Sequence, residues 1–159
     1  MIRNTARFAR NFDEGVKTLS ISIKTAELVI KAAVEKAAQL SVPMNIAVLD
    51  DGGHLKAFVR MDGARLGAID IAVGKAKTAV LFGVNSEVLF EDCKPGGPAF
   101  GLENTNGGLV VFAGGIPLRN GDGELIGAVG VSGGSVQQDF NVAQAGVGAY
   151  RSAAIGASN

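Results

Sequence analysis

The sequence predicts an α+β domain in which two antiparallel hairpins form a sheet flanked by helices. Asp51-Gly52-Gly53 and Arg119–Gly123 each separate two extended runs, which is the pattern of a β-hairpin. Apolar residues recur at helical spacing before, between and after these hairpins. The predicted order is α-β-β-α-α-β-β-α. Helices interleaved with paired hairpins favour a two- or three-layer sandwich.

Composition supports a packed domain. The chain has 159 residues, of which 47% are hydrophobic and 19% are charged, so it suits one core and not disorder. Fifteen basic and fifteen acidic residues cancel, so no overall field attracts nucleic acid or an anionic membrane. No run approaches the roughly 18 apolar residues of a membrane span. Zero net charge weakens repulsion between copies, which favours self-association.

The N-terminal part carries little pattern. Residues 1–17 are polar and are predicted to be an arm that a neighbouring subunit orders, followed by a single domain over residues 18–159. The arginines of the arm precede no apolar stretch, so the arm is not expected to be a secretory signal. The single cysteine, Cys93, allows no intrachain disulfide and fits a reducing compartment. We therefore expect a cytoplasmic location.

The first half of the chain predicts a helix, a hairpin and a second helix. Ser20 or Ser22 can cap the first helix, and Gly83 ends the second. The hairpin pairs Met44–Asp50 with His54–Met61. The two apolar stripes are Ala26, Ile30, Ala33, Ala37 and Leu40 in the first helix, and Leu66, Ile69, Val73, Ala76 and Val80 in the second.

The second half predicts a short helix, a long loop and another hairpin. The short helix covers Glu87–Asp92, and the loop covers Lys94–Gly108, whose length and Gly/Pro content favour a functional or partner-held segment. The strands are Leu109–Leu118 and Glu124–Ser132. Four strands leave sheet edges that need protection, which a neighbouring subunit could supply.

The last helix is predicted to start at a capping box. Ser135 and Gln138 have the required S-x-x-Q spacing. Its predicted buried face consists of Val136, Phe140, Ala143, Val147 and Tyr150.

The only histidine lies at the start of the second strand. Strand alternation places His54, Lys56, Phe58 and Arg60 on one face. An imidazole and two cations around an aromatic ring could hold a planar anionic ligand by charge pairing and stacking. The alternative is a structural histidine beside a turn. The opposite, core-facing set is Leu55, Ala57, Val59 and Met61.

Aspartates bracket the same hairpin. Asp50, Asp51 and Asp62 fit caps of backbone N–H groups in turns. Asp62 could instead hold the guanidinium of Arg60. In an enzyme, His54 or Asp62 would be the general acid or base.

Two further elements are candidates for anion binding. Lys75 lies near the apolar stripe of the second helix, where it could snorkel to solvent or act as an anion anchor or a base of lowered pKa. Val129–Ser135 runs from a strand into a helix N-terminus, where Gly130 and Gly133 could contact an anion or only allow close packing. No metal site is predicted, because one histidine and one cysteine cannot form a structural zinc site without carboxylates.

The hairpin residues Asn45–Leu55 and Phe58–Ala64 resemble the signature hairpin of the GlcG/HbpS-like family. The resemblance covers approximately residues 19–152. Three more stretches agree with it, namely Ala72–Ala79, Gly114–Leu118 and Gly127–Gly134 leading to Gln138 and Asp139.

The resemblance implies a profilin-like sandwich, a homo-oligomer (tetramer or octamer), haem binding in some members and no settled reaction. Haem-binding PduO-type domains of this family use a histidine of the early helix, and Ser22–Leu40 contains none. Haem would therefore need another ligand, which could be His54, a hydroxyl such as that of Thr105, a methionine or Tyr150, or it would bind loosely. The shared positions are Asp50, Gly53, His54, Arg60, Asp62, Lys75, Gly115, Pro117, Gly127, Gly130, Gly133 and Asp139.

Three functions stay open at this point. The first is an oligomeric protein that binds haem or another planar anionic molecule. The second is an enzyme acting on a small carboxylated or hydroxylated metabolite, with His54 as acid or base and Arg60 or Lys75 holding the carboxylate. The third is an accessory oligomer. A wide apolar slot favours haem, a pocket that contains His54 favours the enzyme, and a pocketless assembly favours the accessory role.

Overall fold

A four-stranded antiparallel sheet forms the centre of the computed structural model, which describes residues 20–156. The predicted arm at residues 1–17 lies outside the described residues. The strands, which pair in the order β2-β1-β4-β3, are β1 (Asn45–Asp50), β2 (Leu55–Arg60), β3 (Gly115–Arg119) and β4 (Leu125–Ser132). Both predicted hairpins are confirmed, and β1 joins them by pairing with β4.

Helices cover both faces of this sheet, so the predicted α+β sandwich is confirmed with three layers. The helices are α1 (Ile23–Gln39), α2 (Ala68–Phe82), α3 (Phe90–Cys93) and α4 (Val136–Gly156), with 3₁₀ turns at Ser86–Leu89 and Leu102–Asn104. On one face, α1 and α4 enclose the larger core, which includes Val29, Ala33, Ile46, Val48, Val129, Val131, Val142 and Val147. On the other face, α2 packs its alanines against Ala47, Leu49 and Ala128.

The helix ends follow the signals in the sequence. Ser22 Oγ accepts a hydrogen bond from the N–H of Thr25 at 3.1 Å. The capping box closes in both directions, because Ser135 N–H donates to Gln138 Oε1 and Gln138 N–H donates to Ser135 Oγ. Gly83 ends α2 in the left-handed conformation, with φ 66°.

The predicted strand Leu109–Leu118 is wrong in its first half. β3 begins only at Gly115, and the preceding residues run beside α2. Val110 N–H donates to Thr78 Oγ1 at 3.0 Å, and Leu109 N–H donates to Glu103 O at 2.8 Å. These bonds hold the chain away from β4, so the extended residues Leu109–Val111 do not join the sheet.

Two smaller predictions also change. The single short helix Glu87–Asp92 is replaced by the 3₁₀ turn Ser86–Leu89 followed by α3. Val136, predicted to face the core, is 48% exposed because it is the first residue of α4, beyond the part of the helix that the core covers. Within residues 20–156, no helix combines the length and the apolar character needed to cross a membrane.

Candidate functional site

The turn between β1 and β2 fixes the position of His54. Asp50 Oδ1 accepts hydrogen bonds from Gly52 N–H at 3.0 Å and His54 N–H at 2.9 Å, as expected for an aspartate that begins a tight turn. The same oxygen lies 3.3 Å from His54 Nδ1. Burial opposes ionisation of Asp50, but these hydrogen bonds and the nearby imidazole outweigh it and lower the pKa of Asp50.

The imidazole of His54 is accessible from outside. Its side chain is 82% exposed, and Nδ1 faces the carboxylate of Asp50. A carboxylate beside one ring nitrogen orients the ring and leaves the other nitrogen, Nε2, for an external ligand. His54 is therefore a surface group held by the turn.

Phe58 and Arg60 share one face of β2, which is an edge strand, but a register shift near the start of the strand separates His54 from that face. Lys56 and Arg60 are exposed, and Phe58 is half-buried against the smaller core under α2. On the opposite face Ala57, Val59 and Met61 pack on the larger core, which confirms the predicted alternation for these residues. Leu55 is the exception: it is 58% exposed. The register shifts between Val48 and Leu49, opposite the start of β2, so the alternation fails there.

Asp62 lies beyond the other end of β2. His54 and Arg60 are six residues apart in an extended strand, which separates them by roughly 20 Å, and Asp62 follows Arg60 in the next turn. Within residues 20–156 no ion pair joins Arg60 to Asp62. One protomer therefore does not present His54 and Asp62 to the same small substrate, and a catalytic role for either stays a prediction.

Lys75 is buried and carries its own counter-ion. Its Nζ donates to Asp139 Oδ2 at 2.7 Å and to Val131 O at 3.0 Å, and it lies 4.8 Å from the ring centre of Phe112. Burial lowers the pKa of Lys75, and the pairing with Asp139 opposes that shift. Asp139 Oδ1 also accepts from Gly134 N–H at 2.9 Å. The buried pair therefore ties α2 to the start of α4.

The two glycines predicted to contact an anion lie in close-packed positions. A Cβ on Gly130 would lie 2.0 Å from Ala72 O, so glycine allows α2 to approach β4. A Cβ on Gly133 would lie 2.7 Å from Pro43 O. Packing explains both residues, and their contact with a ligand stays a prediction.

A groove that the sequence reasoning missed lies on the outer side of α2. It has a volume of about 390 Å³. The loop segment Gly107–Val110 forms one wall, and α2 forms the other with Asp70, Ile71, Val73, Gly74 and Lys77. The groove does not contain His54. In the sequence, the spacing i, i+3, i+4, i+7 of Asp70, Val73, Gly74 and Lys77 places these residues on one face of α2. The opposite wall comes from a loop that is distant in sequence, so this spacing alone does not predict the groove.

Residues 20–156 contain no cluster that could bind a metal ion, that is, no group of three or more histidine, cysteine, aspartate or glutamate side chains in suitable positions. Cys93 is buried, and burial raises the pKa of its thiol. A protonated thiol is a poor nucleophile and metal ligand, so Cys93 is an inert core residue at neutral pH.

Comparison with known proteins agrees with this architecture. The family model described as haem degrading protein HbpS-like matches residues 21–148. The crystal structure of Klebsiella pneumoniae protein ORFY superposes with a TM-score of 0.81 at 30% identity, covering 88% of this chain and 97% of that one. The PduOC:heme complex superposes with a TM-score of 0.78 at 38% identity, covering 82% and 94%.

A sequence relative places this similarity within a longer enzyme. The corrinoid adenosyltransferase PduO of Salmonella typhimurium is 38% identical over 132 residues, which are 82% of this chain but 39% of that protein. The chain therefore spans about two fifths of that enzyme. The family model covers most of the described residues, and the signature hairpin, the buried Lys75–Asp139 pair and the glycines under α2 all lie within it. On these grounds the chain belongs to the HbpS-like family of the GlcG/HbpS type.

Proposed function

We propose that this chain is an oligomeric binding protein whose ligand is haem or another planar anionic molecule, held on the face of β2. The observation that carries the proposal is the 38% identity, over most of the chain, to a domain solved as a haem complex. The exposed histidine on an edge strand supports a ligand site at this position.

The residues of the β2 face fit the chemistry of haem. His54 would offer Nε2 to the iron while Asp50 holds Nδ1, the usual arrangement of a ligating histidine. The cation of Lys56, two residues after His54, would pair with a carboxylate of the same ligand. Arg60 and Phe58 lie further along β2, so they would contact a ligand that is held without His54. Bound haem would supply an iron centre, and the protein would bind and orient it.

An apolar surface supports assembly into a homo-oligomer. Of the six phenylalanines within residues 20–156, four are more than one-third exposed, and these four lie between residues 82 and 112. Aromatic side chains are enriched at interfaces, and the zero net charge of the chain suits contact with a second copy. We define the aromatic surface as Leu81, Phe82, Val88, Phe90, Phe100 and Phe112.

The β2 edge adds a second reason to expect an oligomer. An edge strand leaves backbone N–H and C=O groups unpaired, and proteins cover such edges or protect them with charge. The exposed Lys56 and Arg60 protect this edge in the single chain. A haem on the same strand would place the ligand beside a potential contact between copies.

A haem titration tests the proposal. Increasing haem is added to the purified protein, and absorbance in the Soret region is followed for the wild type, His54→Ala and the exposed control Arg65→Ala. We expect saturable, stoichiometric binding by the wild type and Arg65→Ala, and at least a tenfold weaker affinity with a changed Soret band for His54→Ala. Because His54 is mostly exposed, His54→Ala should fold normally, so any loss reports on binding.

Two other results would favour another function. If only weak, unsaturable absorbance changes occur, haem is excluded and the accessory oligomer becomes the better account. If haem binds equally well to His54→Ala, the ligand lies elsewhere, and the β2 face stays open for a small carboxylated metabolite.

A further inference from the structure

We propose that the groove between α2 and Gly107–Val110 binds a small zwitterionic molecule that carries an ammonium group at one end and a carboxylate at the other. Asp70 would bind the ammonium group and Lys77 the carboxylate. Both side chains line the groove. None of the residues predicted to form the β2 face does, so this site is separate from the proposed haem face.

The two charges lie on one face of α2, at opposite ends of the groove. Asp70, Val73, Gly74 and Lys77 follow the spacing that brings helical residues to one side. Seven residues of helix separate the Cα atoms of Asp70 and Lys77 by about 10.5 Å along the axis. This distance keeps the two charges from pairing with each other, so each can pair with one end of a bound molecule.

The middle of the groove is apolar. Ile71 and Val73 line the helix side, and Leu109 and Val110 line the opposite wall. Apolar walls between two opposite charges match a short methylene chain between an amine and a carboxylate. A volume of about 390 Å³ suits a small metabolite, since ligand pockets commonly start at roughly 300 Å³.

The second wall is held in place before a ligand arrives. Val110 N–H donates to Thr78 Oγ1, and Leu109 is buried with its N–H bonded to Glu103 O. Gly74 allows this close approach, because a Cβ there would lie 2.7 Å from Val110 Cγ2. A preformed wall reduces the ordering cost of binding.

Both charged groups have capacity to bind. Lys77 Nζ donates to the backbone oxygen of Asn106, and an ammonium group has three donors, so two are left for a carboxylate. Lys77 is half-buried, which strengthens its attraction for an anion compared with a fully exposed lysine. Asp70 forms no ion pair with the residues in the range 20–156.

The test uses 5-aminopentanoate as the probe and the full chain as the protein. We expect ¹H–¹⁵N chemical shifts of Val73–Lys77 and Gly107–Val110 to move and to saturate, with a dissociation constant on the order of 1 mM for so small a molecule. Pentanoate and pentylamine, which each carry one of the two charges, should bind at least tenfold more weakly.

Five variants separate this site from a non-specific effect. Asp70→Asn and Lys77→Gln should each weaken binding of 5-aminopentanoate at least tenfold, whereas Glu27→Gln and Lys31→Gln, an exposed acid and base on α1, should not change it. The doubly reversed variant Asp70→Lys/Lys77→Glu should bind again, because the probe can enter in the opposite direction.

Either of two results would overturn the proposal. The first is the absence of saturable shifts at the groove with 5-aminopentanoate. The second is equal binding of 5-aminopentanoate by the wild type, Asp70→Asn and Lys77→Gln. The haem titration reads a different face, so the two proposals can fail independently.

Discussion

At the scale of single residues, one carboxylate organises the turn that presents His54. Asp50 accepts two backbone hydrogen bonds and lies beside the imidazole, so the orientation of His54 depends on a residue four positions earlier. A candidate ligand on an exposed turn would otherwise be free to rotate. The turn therefore supplies the rigidity that a ligand-binding histidine needs.

Replacing this carboxylate should cost stability in a pH-dependent way. Asp50→Ala removes both hydrogen bonds and should lower the free energy of unfolding by about 1 kcal/mol at pH 7. The pKa of Asp50 is lowered in the folded state, so its stabilisation is complete above the ordinary carboxyl pKa of about 4 and is lost as pH falls through the lowered value. Urea unfolding of both proteins at pH 7 and pH 3 measures the difference, which should shrink at pH 3. An equal difference at both pH values would contradict this account.

At the scale of elements, the buried ion pair connects parts that are far apart in sequence. Lys75 in α2 and Asp139 in α4 are 64 positions apart, and Val131 O at the end of β4 completes the contact. Both side chains are almost completely removed from solvent. Such a pair contributes little net stability, but loss of one partner leaves an uncompensated charge inside the fold.

A double-mutant cycle tests this coupling. Lys75→Met and Asp139→Leu should each lower the free energy of unfolding by about 3–5 kcal/mol, because each leaves one buried charge unpaired. The double variant should lose clearly less than the sum of the two, since neither charge is left. Urea unfolding of the four proteins measures the coupling, and Lys77→Met, in the same helix but only half-buried, is the control. Additive losses would show that the two charges do not stabilise each other.

Local sequence patterns suffice to predict the helix ends and part of the core. Ser22, Gly83 and the Ser135/Gln138 box marked the helix ends correctly, because a cap involves residues within one turn of each other. Residues Ala57, Val59 and Met61 were assigned to the core by alternation alone. The predicted start of β3 was wrong because Val110 N–H forms a hydrogen bond with Thr78 Oγ1, 32 positions away. No local sequence pattern indicates that contact.

At the scale of the whole molecule, exposed apolar and charged side chains define three surfaces. The aromatic surface lies between residues 81 and 112, the β2 face carries His54 with its cations, and the α2 groove carries Asp70 and Lys77. Each surface has different chemistry. The proposed self-association and the two proposed ligand sites therefore occupy different parts of the chain.

The aromatic surface should control the mass of the native protein. We expect light scattering with size-exclusion chromatography to give a multiple of the chain mass at micromolar concentration. Phe90→Lys and Phe100→Lys place charges on the aromatic surface and should shift the population towards smaller species. Ile155→Lys changes an equally exposed apolar residue at the end of α4 and should not. A monomeric wild type would exclude the homo-oligomer, and unchanged masses for both phenylalanine variants would place the interface elsewhere.

The sequence by itself determined the secondary structure order, the two hairpins, most of the core faces and the resemblance to the family. Leu66, predicted for the apolar stripe of the second helix, is an exception because it lies before α2 and is 69% exposed. These features depend on turn residues, on alternation and on helical spacing, all of which act over a few neighbouring positions. It also singled out Lys75 and His54 as chemically unusual.

Only the tertiary structure decided what surrounds those residues. Lys75 proved to be paired inside the fold, His54 proved to be on the surface, and the groove appeared where a loop packs against α2. Burial, ion pairing and cavities depend on which distant segments pack together, and a linear pattern of one sequence does not contain those distances. The fold could be predicted because its elements follow local patterns. The candidate sites could be predicted only in part because they form where remote segments pack together.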